Sequence, residues 1–263
     1  MATEPIPKFW GQIVVSSSNN TLDFWETSVT DSSITVDSGT YWPHDLATEI
    51  QTKLNAVVSG WTVSVSDTTG LLTIARGSGW YPKITASESN KLLTGGDTNV
   101  DTESALATGE RAPEHCGFVQ DASYPSAATS HTADTTMHGC WFPTEPPAED
   151  PYYKLQKQVR VSSTAQGTLY HADYTGRGKG IEQRTLRFEY QLGTSRYIAA
   201  VDWWKWYASE GGLIRYFPDR EDNTAYKEYK LPEEDCNREP WDRQQMGYYW
   251  YSGSFTLQRQ TWG

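Results

Sequence analysis

Apolar and polar positions alternate with the two-residue period of a half-buried strand along much of this chain. They follow a helical period in only two places. The opening stretch "FWGQIVVSSSNNTLDFWE" predicts two short strands around a polar turn at Ser16 to Asn20. "SSITVDSG" predicts a further strand that stops at Gly39. Leu46, Ile50, Leu54 and Val57 then recur at helical spacing. Pro43 ends the strand before them, Asp45 or His44 is the candidate cap, and Gly60 closes the helix. Trp61, Val63 and Val65 alternate with Thr62 and Ser64, "DTTG" supplies a turn, and Leu72 and Ile74 begin the return strand. The unit predicted is an amphipathic helix laid on a hairpin.

From Gly95 to Pro151 no period persists, and Gly, Ser, Thr, Ala, Asp and Pro dominate. This reads as a long excursion or linker, pinned where Phe118, Val119, Trp141 and Phe142 recur. Beyond it, "YYKLQKQVRV", "GTLYHADY", "RTLRFEYQL" and "YYWYSGSFTLQRQ" all predict strands. The third is the cleanest, with Leu186, Phe188, Tyr190 and Leu192 on one face and Thr185, Arg187, Glu189 and Gln191 on the other. One helix, from about Thr194 to Glu210, precedes the last strands and is stopped by Gly211 and Gly212. The expected organisation is a β module with one helix over 1–94, an irregular excursion over 95–151, and a β-sandwich with one helix over 152–263. The fold class expected is mainly β (α+β), a sandwich or barrel-like sheet with a helix on its flank.

Composition narrows the classes. The 263 residues suffice for one large or two modest domains. The net charge of -11 disfavours a phosphate-gripping surface, so no specific nucleic-acid binding is expected. Three cysteines, Cys116, Cys140 and Cys236, make no disulfide framework. No apolar run reaches the length needed to cross a bilayer, so no membrane insertion is expected. The start "MATEPIPKFW" has no secretory pattern, and folding in a reducing cytoplasm is expected.

Candidate chemistry is sparse. His115, Cys116, His131, His138 and Cys140 are the nearest thing to a metal cluster. The first two are adjacent, the last two are one residue apart, and no C-x-x-C pair is present; a polar loop accounts for them. "TGRGKG", Thr175 to Gly180, lacks phosphate-loop spacing and reads as a basic hairpin tip. Asp202, Glu210, Asp219, Glu221 and Asp222 are available carboxylates, but "PDRED" reads as a solvated turn. Cys236 sits among acids, which argues against a reactive thiolate. No catalytic residue, metal or cofactor is assigned, and no enzyme is expected.

The 12 Trp and 16 Tyr change the picture most. "YIAAVDWWKWYASEGGLIRYFPD" carries an apolar stripe too wide for a helix that rests on one sheet. Trp203, Trp204, Trp206 and Tyr207, with Tyr216 and Phe217 of the following strand, are therefore the candidate subunit-interface residues. The competing reading places them all in one subunit's core, where Trp and Tyr are ordinary residues.

The stretch "TYWPHDLATEIQTKLNAVVSGWTVSVSDTTGLLTIA", through Tyr41, Leu46, Ala47, Ile50, Leu54, Asn55, Asp67 and Gly70, resembles a module of structural proteins of tailed bacteriophages and other viruses. The C-terminal part, through Gly212, Ile214, Tyr216, Pro218, Asp219, Leu257 and Arg259, is similar to the ends of phage tail and baseplate proteins. Together the two stretches span a little over a third of the chain. The resemblance implies a tail-tube-type sandwich and a non-enzymatic virion structural protein. It would be a ring-forming distal tail or baseplate subunit that connects tail tube and tip. Its partners would be further copies in a homo-oligomeric ring and other tail proteins of the tube, tip or hub. It would reside in the virion tail after synthesis and assembly in the bacterial host cytoplasm. Such rings have an acidic lumen that lets DNA slide. The excursion over 95–151 departs from a plain tube subunit. The alternative function is a carbohydrate-binding module for host-surface glycans using exposed Trp and Tyr. A glycoside hydrolase ranks below both.

Overall fold

The computed structural model describes residues 5–28, 30–82, 92–93, 116–118, 127–147, 152–156, 159–163, 169–173, 180–191, 195–208, 210–232, 236, 241–246 and 248–261. For 30, 152–183, 189–198, 206, 241–255 and 259–261 within those stretches, only the backbone is described. The architecture is mainly β, with several antiparallel sheets and two short helices, and no closed barrel forms among the described residues.

The N-terminal half is built on strands β1 (Lys8–Gly11), β2 (Ile13–Val15), β3 (Thr21–Glu26), β4 (Thr30–Thr35) and β5 (Gly39–Tyr41), helix α1 (Pro43–Val57), and strands β6 (Trp61–Val65) and β7 (Leu72–Pro82). The five-stranded sheet runs β4-β3-β7-β6. Strand β8 (Ala128–Thr132) joins it across β7 from β3, because Trp80 pairs with both Glu26 and Ala128. Leu22, Phe24, Val63, Val65, Leu72, Ile74 and Trp80 point inward, and α1 covers them with Leu46, Ala47, Ile50 and Leu54. Each such Leu or Ile contributes roughly 1.5–3 kcal/mol by leaving water.

The helix-on-hairpin unit is present with different ends. Neither His44 nor Asp45 caps α1: its N-cap is Trp42, with Pro43 in the first turn and no side-chain cap bond. Proline is suited there because the missing N–H would be an orphan anyway. The stop is set by Asn55, whose Oδ1 accepts the N–H groups of Gly60 (2.9 Å) and Trp61 (3.0 Å). Gly60 has φ 102°, a conformation side chains disfavour. Val57, expected on the buried stripe, is 43% exposed because the sheet no longer covers the last turn. Strands β2 and β3 do flank a polar turn, where Asn19 Oδ1 accepts the Ser16 N–H, but they do not pair with each other. Strand β2 pairs with β5, and β3 with β4 and β7.

The C-terminal half contains β9 (Tyr152–Gln156), β10 (Val159–Ser163), β11 (Leu169–Asp173) and β12 (Gly180–Gln191). Helix α2 (Ser195–Trp203) follows and runs into a π-helical turn at Trp204–Ala208. Then come β13 (Ile214–Phe217), β14 (Lys227–Tyr229), β15 (Trp241–Met246) and β16 (Tyr248–Thr261). The main sheet is β15-β16-β12-β9. Leu186, Phe188 and Leu257 are buried, while the Thr185 and Thr256 hydroxyls meet at 3.1 Å on the other face. Tyr190's side chain and Leu192 lie outside the described residues.

A third sheet, β1-β13-β14, divides the interior. Side chains alternate across a strand, so Lys8, Trp10 and Phe217 face the core under α1, while Phe9, Ile214, Tyr216 and Tyr229 face a second core with Leu186, Phe188, Trp203 and Leu257. All four residues of β1 are buried because both faces are covered. The wall is extended by Trp141, which exchanges two backbone hydrogen bonds of 2.9 Å with Phe9. It is tied to β16 by two bonds of 2.8 Å between Lys230 and Gln258. Residues of the expected excursion thus take part in both cores: Cys116, Phe118, Ala133, Met137 and Cys140 in the first, Trp141 in the second. Val119 lies outside the described residues.

Candidate functional site

The aromatic run closes on its own chain. Trp203, Tyr207, Tyr216 and Phe217 are all less than 8% exposed. Trp204 is half-buried against the second core, and the side chain of Trp206 lies outside the described residues. The anchor is a close crossing of two glycines. A methyl group on Gly11 would lie 2.5 Å from the Gly139 carbonyl oxygen. A methyl group on Gly139, itself at φ 76°, would lie 2.9 Å from the Tyr207 ring. Trp203 Nε1 donates to the Gly139 carbonyl (3.1 Å). Tyr207 Oη accepts the Gln12 N–H (2.5 Å) and donates to the Leu213 carbonyl (2.7 Å). Burial pushes the Tyr207 phenol above its ordinary value. The stripe that looked too wide for one sheet is covered by the loop carrying Gly139 and Trp141. These four residues therefore need no second chain to leave water.

On the other side of the dividing sheet lies a constellation that sequence reasoning missed. Lys8 has no exposed surface, yet its ammonium is placed among acceptors. Its Nζ is 3.5 Å from Asp67 Oδ1 and 3.3 Å from the Asp67 carbonyl, and it bonds to Asn223 Oδ1. It also stands over the rings of Trp10 (4.6 Å) and Phe217 (4.9 Å), where the ring quadrupole attracts a cation. Asp67 is shared with His44, whose Nε2 is 2.9 Å from the same Oδ1. Trp10 in turn meets His44 edge-on at 4.7 Å.

The stack continues along the strand. Arg215 lies over Trp42 at 3.9 Å and over Tyr226 at 4.5 Å, and its Nε bonds to Glu228 at 3.0 Å. Tyr226 leans on Phe217 at 5.2 Å. Cations and rings thus form a continuous layer from Trp42 to His44. Burial lowers the Lys8 pKa, and the Asp67 charge opposes this. For Asp67 burial raises the pKa, but hydrogen bonds from His44 and Asn223 and the Lys8 charge outweigh it and leave it lowered. An amine with no exposed surface offers no path to a substrate. The chemistry of this site is that of a charged cross-link between β1, the turn after β6, the start of α1 and the segment 219–226.

A second buried ion pair sits in the first half. Glu26 accepts from the Ser28 N–H (2.8 Å), the Ser28 hydroxyl, Ser78 Oγ (2.6 Å) and Thr27 Oγ1 (3.1 Å), and Arg76 Nη1 is 2.8 Å away. Burial alone would raise its pKa, but these donors bring it down to about 2. Every lone pair is spoken for, so this carboxylate is held for the fold rather than for catalysis.

The other sequence candidates stay apart. Among the described residues no group of three or more His, Cys, Asp or Glu could hold a metal. His131 Nε2 lies 2.8 Å from the Trp80 carbonyl, and His138 packs edge-on against Tyr207. Burial pushes the Cys140 thiol up to about 12 and the Cys116 thiol higher still. His115 and residues 175–179 lie outside the described residues. Asp219 accepts the Glu221 N–H and Asp222 accepts the Thr224 N–H, so "PDRED" is a capped turn.

Lys8 escaped notice because its partners are remote in sequence. The available signal was a lysine set among aromatics in "KFWG", together with a second aromatic strand, "IRYF". Comparison of the chain with protein-family profiles, with curated proteins and with solved structures finds no match.

Proposed function

We propose that this chain is a non-enzymatic structural subunit of a tailed-phage virion, a ring-forming distal-tail or baseplate component with a tail-tube-type β-sandwich. The observation that carries the reading is the sheet β15-β16-β12-β9. Two long strands are paired from Gly180↔Thr261 to Gln191↔Trp250, and among the described residues the edge strands β15 and β9 have a free side. An edge strand presents unpaired N–H and C=O groups to any neighbour with a matching edge. Copies joined edge to edge by a rotation close into a ring. Two further features support the reading. The helix-on-hairpin unit and the "IRYFPD" strand, which carried the resemblance, are both folded as discrete elements. The charge of -11 suits a channel that must not hold DNA.

With Trp203, Tyr207, Tyr216 and Phe217 buried in their own chain, the contacts between copies fall to the sheet edges. The partners are further copies and the neighbouring tube, tip or hub proteins, in the virion tail. The test is mass in solution by light scattering, with negative-stain images of the same fraction. Annular particles whose mass is one multiple of 29.7 kDa are expected. A protein that remains a 29.7 kDa monomer at every concentration, and in particles is found at no ring, defeats the reading.

A further inference from the structure

Lys8, Asp67 and Asn223 hold the parts of an acyl transfer within one chain. Lys8 has no exposed surface, and its Nζ bonds to Asn223 Oδ1, which sets the amine against a carboxamide carbon. Asp67 Oδ1 lies 3.5 Å from the same Nζ, and the Asp67 carboxylate also accepts a hydrogen bond from the Asn223 side chain. The donor on a carboxamide is its nitrogen. The carboxylate thus spans the nucleophile and the nitrogen that would leave. His44 Nε2, 2.9 Å from Asp67 Oδ1, steadies it. The rings of Trp10 and Phe217, with centres 4.6 and 4.9 Å from Nζ, cover the amine. Burial lowers the Lys8 pKa, against the charges of Asp67, Glu221 and Asp219, and so favours the neutral amine that attacks.

We propose that the Lys8 and Asn223 side chains join as an amide, in a reaction the chain performs once on itself, with Asp67 as general base and acid. Asp67 takes a proton from the Lys8 ammonium. The freed lone pair forms a bond from Nζ to Asn223 Cγ, and the carbonyl π pair moves to Oδ1. Asp67 passes its proton to Nδ2 and removes a second one from Nζ. The Oδ1 pair then returns, the Cγ–Nδ2 bond breaks, and ammonia leaves with the bonding pair and takes the last proton from Asp67. In sum, an ammonium and a carboxamide become a secondary amide and an ammonium ion, and the carboxylate is regenerated. Both reactants belong to the chain, so burial of the amine excludes water without blocking the reaction. Asn223 is exposed and Asp67 half-buried, which gives ammonia a way out. The bond joins residues 215 apart and fastens β1 to the segment 219–226.

The bond and the ring are independent, since a monomer can carry the one and lack the other. Intact mass of the full chain, folded and then denatured for measurement, tests the bond. The parent is expected to be lighter than the unreacted chain by one ammonia, about 17 Da, and a digest should yield a branched peptide that links Lys8 to Asn223. Lys8→Arg and Asn223→Ala should lose no ammonia, and Asp67→Ala should slow the loss about a hundredfold or more. If Lys8→Arg does not fold, Asn223→Ala, in an exposed turn, takes its place. Folded parent protein that keeps its full mass after several days at neutral pH overturns the proposal and leaves an ion pair only. Loss of one water, with Lys8 joined to Asp67, also overturns it. So does loss of ammonia without the branched peptide, because Asn223 can close on its own backbone as an imide. A folded Asp67→Ala protein that reacts at the parental rate overturns it as well. For stability, other Lys8 variants are compared with Asn223→Ala, which cannot react.

Discussion

Lys8 and Asp67 are 59 residues apart in the chain, and in the folded protein Lys8 Nζ lies 3.5 Å from Asp67 Oδ1 and 3.3 Å from the Asp67 carbonyl. The pair joins the dividing sheet to the turn below α1, and Asn223 closes it from the far end of the chain. Lys8→Ala should cost about 3 kcal/mol, because a buried four-carbon stem and a shared cation leave together. Lys8→Met keeps the stem and removes the charge, while Asp67 retains His44, so a loss under about 1.5 kcal/mol is expected. Urea melts of the two variants check the difference. Equal losses would show that the charge, not the packing, matters.

Glu26 sets an acid limit. Its pKa falls from 4.5 to about 2 on folding. A depressed carboxylate contributes stability that is fully present above pH 4.5 and is lost as pH falls toward 2. Glu26→Gln should therefore cost about 2–3 kcal/mol near neutrality by orphaning buried Arg76. It should also flatten the decline between those two pH values. Melts taken at half-unit steps of pH would reveal a parallel, unflattened curve if the carboxylate were irrelevant.

The helix anchor can be tested at two points. Tyr207→Phe leaves the Gln12 N–H and the Leu213 carbonyl without their partner and should cost about 1–2 kcal/mol. Gly139→Ala meets both an unfavourable φ and the Tyr207 ring, and a loss of about 2 kcal/mol or more is expected. A Gly139→Ala protein as stable as the parent would mean that the crossing with Gly11 is loose.

Thiol labelling separates the three cysteines. Cys116 and Cys140 are buried with raised pKa values, while Cys236 is half-buried. An aromatic disulfide reagent at pH 8 should modify Cys236 first, and the other two only on denaturation. Rapid modification of Cys140 in the native protein, read by peptide mass, would contradict the packing of the loop that carries it.

Local pattern in the sequence reached the elements whose one face is buried. Leu46, Ile50 and Leu54 mark α1, Trp61, Val63 and Val65 mark β6, and Leu186 and Phe188 mark the buried face of β12, because a helix or strand with one covered face must repeat its apolar residues at its own period. The same reasoning placed the aromatic helix and its glycine stop, yet left open what covers its wide stripe. That answer lies in Gly139 and Trp141, in a stretch whose composition looked like a linker.

Tertiary structure alone decided which strands pair and where the interior divides. Backbone hydrogen bonds carry no residue code, so nothing local shows that β1 pairs with β13 across some two hundred residues. A strand covered on both faces, as β1 is, loses the alternation by which a strand is read. For that reason a fully buried lysine could stand between Trp10 and Phe217 without announcing itself in the sequence. The charge is tolerable only because Asp67 and Asn223 are brought to it when the chain folds.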